Sequence, residues 1–173
     1  MTTLRSPRVM MRPHGLHDLR DLSEMWVIPQ VVEHISGAPL SSDEVWAKLM
    51  FHIGHWQALG FGYWAVLDAT TGHYLGMVGF AVRPRNTEPT LPDSVEAGWV
   101  LHPKVQSKGI AFEAMQLAYA WADEHQNWDK THCLISPENL ASLKLAARLG
   151  FQPFQEVRYR GGPSMVLERV CAP

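Results

Sequence analysis

The residues of this chain best suited to chemistry are Gln106-Ser107-Lys108-Gly109-Ile110-Ala111, set between an apolar, strand-like run and a long helical pattern. Gly109 and the small Ala111 leave backbone N–H groups uncovered. A loop of this kind, opening straight into a helix N-terminus, gathers several donors and about half a unit of positive charge at one point, and phosphate suits it. The Gly-Lys-Ser/Thr ending of a nucleoside-triphosphate loop is missing after Gly109, which disfavours a triphosphate. Two other groupings carry less. His52 and His55 lie three residues apart on a helical run but lack the Cys, Asp or Glu partners of a zinc site, so they read as surface or core-edge histidines. Cys133 falls in an apolar strand and Cys171 in the C-terminal tail; the two carry no disulfide framework or metal signature and are expected as free thiols.

The elements that must hold the loop lie on either side of it. Val95-Glu96-Ala97-Gly98-Trp99-Val100-Leu101 is β-branched and aromatic enough for a strand, and Pro103 ends it by withdrawing a backbone donor. After the loop, Phe112, Met115, Leu117, Ala118, Tyr119 and Trp121 recur at the spacing of a helix over 112–126. Upstream, Leu16, Leu19, Leu22 and Trp26 predict a helix broken by Pro29. Ser41-Ser42-Asp43-Glu44 is a capping box for a second helix whose apolar face runs through Val45, Trp46, Leu49, Met50, Ile53 and Trp56 to Gly60. Strands are expected at 9–11, 63–67, 74–82, 94–101, 131–135, 154–160 and 164–170. Asp68 to His73 and Gly161-Gly162 turn two hairpins. Pro84, Pro89 and Pro92 make 83–93 a loop that could close over a substrate. Asn139 starts a last helix with Leu143, Leu145, Ala146 and Leu149 inward and Gly150 at its end.

Composition bounds the function. The 173 residues, 46% hydrophobic and 18% charged, describe one globular domain over 1–173, with residues 1–8 as a flexible tail. A net charge of −2 without a Lys/Arg block argues against nucleic acid as a partner. No apolar run approaches a membrane span and the first residues lack the core of a signal peptide, so a cytoplasmic protein with no membrane partner is expected, as a monomer or homodimer.

These residues resemble the GNAT superfamily of N-acetyltransferases, which use acetyl-CoA. Its Gln/Arg-x-x-Gly-x-Gly/Ala signature is filled by Gln106, Gly109 and Ala111. Glu96-Ala97-Gly98-Trp99 before it, Phe112-Glu113-Ala114 after it, and Asn139-x-x-Ser142 leading to Leu149-Gly150-Phe151 add to the match. Met11-Arg12-Pro13 followed by Asp18, and Gly62-Tyr63-Trp64-Ala65-Val66, resemble the branch that includes the ribosomal-protein N-terminal (RimJ/RimL-like) acetyltransferases.

The resemblance implies a mixed α/β (α+β) fold, a mostly antiparallel twisted sheet of six to seven strands with helices on both faces. Coenzyme A would be the bound donor and no metal would be needed. Gln106, Ser107, Lys108, Gly109, Ile110 and Ala111 would hold the pyrophosphate; Trp99, Val100 and Leu101 would pair with the pantetheine arm, Asn139 reaching from the other side, with Phe151 completing the cofactor set. Asn139 is also among the best helix caps. Glu96 would be the general base, or else an edge carboxylate with a structural hydrogen bond. Many members carry Tyr seven residues after the Asn, where this chain has Ala146, so Ser142 is the hydroxyl nearest the role of protonating the leaving thiolate. The acceptor would be an amine, a protein N-terminus or a small molecule such as a polyamine, amino acid or antibiotic. A non-catalytic acyl-CoA-binding module is the rival reading.

Overall fold

The computed structural model describes residues 3–91 and 94–171. Its centre is a nine-stranded sheet in the order β1-β2-β3-β4-β6-β7-β9-β8-β5. The strands are β1 (Leu4–Arg5), β2 (Val9–Pro13), β3 (Tyr63–Asp68), β4 (Tyr74–Val82), β5 (Thr87–Glu88), β6 (Val95–Leu101), β7 (Lys130–Ile135), β8 (Gln152–Tyr159) and β9 (Gly162–Val170). All neighbours pair antiparallel except β6 and β7, which run parallel.

Alternation along β3 and β4 sorts side chains into two cores. Trp64, Val66, Val78 and Phe80 point to one face, where α4 (Ile110–His125) supplies Ala114, Met115, Ala118 and Trp121. Tyr63, Met77 and Ala81 point to the other. There α1 (Leu19–Met25) and α3 (Ser42–Leu59) bring Leu22, Met25, Val45 and Leu49, and α2 (Pro29–Val32) adds Val31 and Val32. The last helix, α5 (Leu140–Arg148), adds Ala146 to the α4 side.

Several local expectations appear as drawn. Ser41 and Glu44 form a reciprocal capping box at the start of α3, and Gly60 closes it in the left-handed region. Asn139 caps α5 through Oδ1, accepting from the Ser142 N–H.

Others are corrected. Two more strands exist than expected, and both are two-residue edge pairings too short to leave a period in sequence. β1 lies in the segment read as a tail, which is further tied down by the ion pair of Arg8 with Glu113 of α4. β5 lies in the proline-rich segment read wholly as loop and pairs with β8; Pro92 and Asp93 of that segment fall outside the described residues. Trp46, placed on the apolar face of α3, is 47% exposed, because Val45 and Leu49 already face the sheet. The last hairpin turns on Arg160 and Gly161, both at positive φ, so Gly162 is the first residue of β9 instead of a turn residue.

Candidate active site

The site begins where the sheet comes apart. β6 pairs with β4 along the whole length of β6, from Val82↔Val95 to Gly76↔Leu101. On the other side, β6 meets β7 only at Val95↔Thr131 and Glu96↔His132. Beyond that point the main chain of Ala97 to Leu101 has no β7 partner, and a strand edge without a partner can accept an extended ligand. A cavity of about 600 Å3 follows this edge, lined by Trp99, Val100 and Leu101, by Gln106, Ser107, Gly109, Ile110 and Ala111, and by Asn139 and Ser142 of the opposite wall.

The loop at its end is shaped by backbone conformation. Ser107 and Gly109 both lie in the left-handed region, at φ 60° and 76°. Gly109 is the N-cap of α4, and no side chain caps that end. A glycine holds this φ without the cost a Cβ would add. The loop is braced from behind: Arg8 Nη1 donates to the Lys108 carbonyl at 2.8 Å, and Glu113 ties Arg8 and Ser6 to the first turn of α4. Gln106 Nε2 donates back to the Leu101 carbonyl at 3.2 Å. Arg148, stacked over the Phe112 ring at 4.2 Å, and Lys144 line the same cavity one helical turn apart. Their spacing of four residues on α5 was the available signal, since that spacing shares a helix face.

A second cavity of about 420 Å3 lies on the other side of the gap, between the N-terminal helices and the sheet, and Trp26, Lys48, Tyr63, Arg83, Arg85, Glu96 and Arg160 are among its walls. Trp99, Asn139 and Ser142 belong to both cavities. At this junction the Trp99 indole N–H donates to Ser142 Oγ at 3.2 Å. That bond occupies one lone pair and leaves the hydroxyl proton free to point elsewhere. Gly98 is required beside it, because a Cβ there would overlap the Tyr63 hydroxyl. Burial pushes the Tyr63 phenol up to about 12, so it stays protonated.

Three expected site residues sit differently. Phe151 is 1% exposed and packs edge-on beneath Trp99, with ring centroids 6.2 Å apart; it supports the wall without lining it. Lys108 contributes its carbonyl to the Arg8 brace, while its exposed side chain is absent from the walls of both cavities. Glu96 lies where β6 and β7 part, but it is buried and both its oxygens accept from Arg85, the Nε bond being 2.8 Å. Burial works against the Arg85 charge and Glu96 more than offsets it, raising the guanidinium above its ordinary range. Both oxygens of Glu96 are thus engaged in a charge-assisted pair. Sequence reasoning missed Arg85 because it lies eleven residues upstream of Glu96, across the proline-rich segment. His132 completes the group, Nε2 at 3.9 Å from Glu96 and Nδ1 at 2.6 Å from Ser94 Oγ.

His55 is occupied elsewhere: its Nε2 accepts from the Val82 N–H at 3.0 Å and its Nδ1 donates to the Phe61 carbonyl at 2.6 Å. Among the described residues no cluster of His, Cys, Asp and Glu is arranged to hold a metal ion, and no helix is long and apolar enough to cross a membrane. Cys133 is buried and Cys171 partly so, and neither is in a disulfide.

A parting pair of parallel strands whose cleft ends on an uncapped helix N-terminus is the architecture of acyl-CoA-dependent transferases of the GNAT fold. The family model for the Acetyltransferase (GNAT) domain matches residues 8–152, and the chain belongs to that family. Bacillus subtilis YkkB, an uncharacterized protein, is 26% identical over 110 residues, a match spanning 64% of this chain and only 62% of YkkB. A putative GNAT-family acetyltransferase from Bordetella pertussis superposes with a TM-score of 0.87 at 29% identity, covering 98% of this chain and all of that one. RimL, the ribosomal L7/L12 α-N-protein acetyltransferase solved with coenzyme A, superposes at 0.79 with 15% identity, covering 98% of both chains, a likeness of fold.

Proposed function

We propose that this protein is an acetyl-CoA-dependent N-acetyltransferase that modifies a primary amine by direct attack within a ternary complex. One observation carries the reading: two cavities, one ending on the uncapped start of α4 and one walled by the N-terminal helices, meet at Trp99, Asn139 and Ser142.

The residues fit coenzyme A. The N–H groups at the start of α4 and the cations Lys144 and Arg148 suit its phosphates, and the open edge of β6 suits the amides of its pantetheine arm. Bound acetyl-CoA supplies the acetyl thioester. The main chain between Ala97 and Leu101 orients that group and offers an N–H to its carbonyl oxygen. The amine's N–C bond forms as the C–S bond breaks; the amine's proton passes to water, and Ser142 gives its own proton to the departing sulfur and regains one from solvent. Orientation of two bound reactants is worth up to about 7–11 kcal/mol, more than a single base supplies, so the chemistry does not hinge on Glu96. Glu96 is assigned the lesser role of holding Arg85 in the acceptor wall. The fold shared with RimL supports a protein N-terminus as the acceptor, and an α-amine near 7.7–8.0 is already partly neutral at pH 7, so it asks little of a base.

The test is thiol release from acetyl-CoA against a panel of N-terminal peptides and small amines, with mass spectrometry of the products. Acetylated amine with stoichiometric thiol is expected. Coenzyme A binding with no thiol release from any amine would leave a non-catalytic binding module.

A further inference from the structure

The acceptor cavity is walled by cations brought from three parts of the chain: Lys48 on α3, Arg83 and Arg85 beyond β4, and Arg160 in the β8–β9 turn. Arg85 is neutralised by Glu96. Among the described residues, no carboxylate lies within ion-pair distance of Lys48, Arg83 or Arg160. Their contacts are apolar or neutral instead. Lys48 Nζ sits 4.2 Å from the centre of the Trp26 ring. Arg83 lies 4.4 Å over Phe51 and 5.6 Å over Tyr63, and its Nε is buried without a hydrogen-bond partner. Arg160 donates to the Ile35 carbonyl at 3.2 Å.

The remaining acids offset this charge only in part. Glu44, one turn before Lys48, is engaged through Oε2 with the Ser41 cap and acts on Lys48 and Arg160 only through its charge, without an ion pair. Glu33 and Glu138 belong to the wall shared with the coenzyme A cavity. Burial, and then the charges of Arg83, Arg85 and Arg160, push the Lys48 amine down to about 8, which registers the positive field of the pocket. Gathering like charges in a half-buried wall is unfavourable unless an opposite charge arrives.

We infer that the acceptor is an amine that also carries a carboxylate or phosphate near its nitrogen, the anion held by Lys48, Arg83 and Arg160 while the amine faces Trp99 and Ser142. The inference rests on the transferase reading above and narrows its substrate. The same field disfavours an ammonium ion, so it favours the neutral amine that attacks, and it repels a polyamine. Free anionic amines and acidic protein N-termini share this chemistry.

Matched pairs separate the sources: alanine against alaninamide, and a short peptide with two glutamates after its first residue against one with two glutamines, with spermidine as the cationic control. Two readouts are taken, thiol release and calorimetric binding of each amine to the coenzyme A-loaded protein. The acidic member of at least one pair should have the lower KM and bind more tightly by about tenfold or more, as charge-assisted bonds do. Lys48→Met and Arg83→Met should erase that preference without changing coenzyme A affinity, and Lys48→Arg should keep it. Preference for the small pair alone identifies a free anionic amine, and for the peptide pair alone an acidic N-terminus. Equal use of charged and neutral members, or preference for spermidine, overturns the inference while leaving the transferase reading intact. Loss of the transferase reading shows separately, as absent thiol release from every amine.

Discussion

Trp99→Phe tests the junction of the two cavities most directly. The change keeps an aromatic ring against Phe151 and removes the N–H that reaches Ser142 Oγ at 3.2 Å, together with part of the indole's volume. A neutral hydrogen bond contributes about 0.5–1.5 kcal/mol net, which at about 1.36 kcal/mol per decade is about a 2- to 13-fold effect. If that bond orients the Ser142 hydroxyl towards the departing sulfur, the loss falls on kcat, and coenzyme A affinity stays where it was. On the proposed mechanism Ser142→Ala removes the proton donor itself and should cost more, about 10²–10⁴-fold in kcat. The two changes should not multiply: in the Ser142→Ala background Trp99→Phe should have no further effect, because the group it orients is gone. The assay is steady-state thiol release at saturating acetyl-CoA on the four members of the cycle, with coenzyme A binding measured in parallel. A Trp99→Phe loss that persists undiminished without Ser142 would refute the orienting role and leave Trp99 as packing alone.

Three further outcomes follow from the geometry. Gly109→Glu places a Cβ at φ 76° and a negative charge at the start of α4; coenzyme A affinity should fall at least about 100-fold, and calorimetry showing wild-type affinity in a folded variant would remove the loop from the site. Glu96→Gln strips Arg85 of its ion-pair partner; thermal stability should fall, with kcat down less than about tenfold, whereas a loss of about 10²–10⁴ in kcat with unchanged stability would make Glu96 the base. Buried His14 is pushed down to about 4, chiefly by burial, while its unfolded value is near 6.5. The unfolded chain therefore binds more protons between those values, and stability present above pH 6.5 is lost as pH falls towards 4, by about 2 kcal/mol at pH 5 from this group. Buried His52, also lowered, adds in the same direction. Melting should drop by about 4–8 °C from His14 alone between pH 8 and pH 5, and a flat profile would contradict a neutral buried His14.

What the chain alone determined is its local grammar. The Ser41–Glu44 box, the Asn139 cap, the glycine loop before α4 and the alternation along β3 and β4 depend on neighbours a few residues apart, and each stands where the residues indicate. Tertiary structure decided what depends on distant partners. The edge strands β1 and β5 exist because β2 and β8 present ladders to them, and two residues carry no period of their own. Ala146 is fully buried against the core, a placement that depends on how α5 packs against the rest of the domain. Glu96 was visible as the ionisable residue of the central strand, but its commitment to Arg85 arises only when the segment after β4 folds back across the sheet. The proposed anion loop was legible because a helix N-terminus makes its own field. The proposed acceptor pocket was not, because its charges come from α3, the segment after β4 and a distant hairpin, and only the packed sheet brings them to one wall.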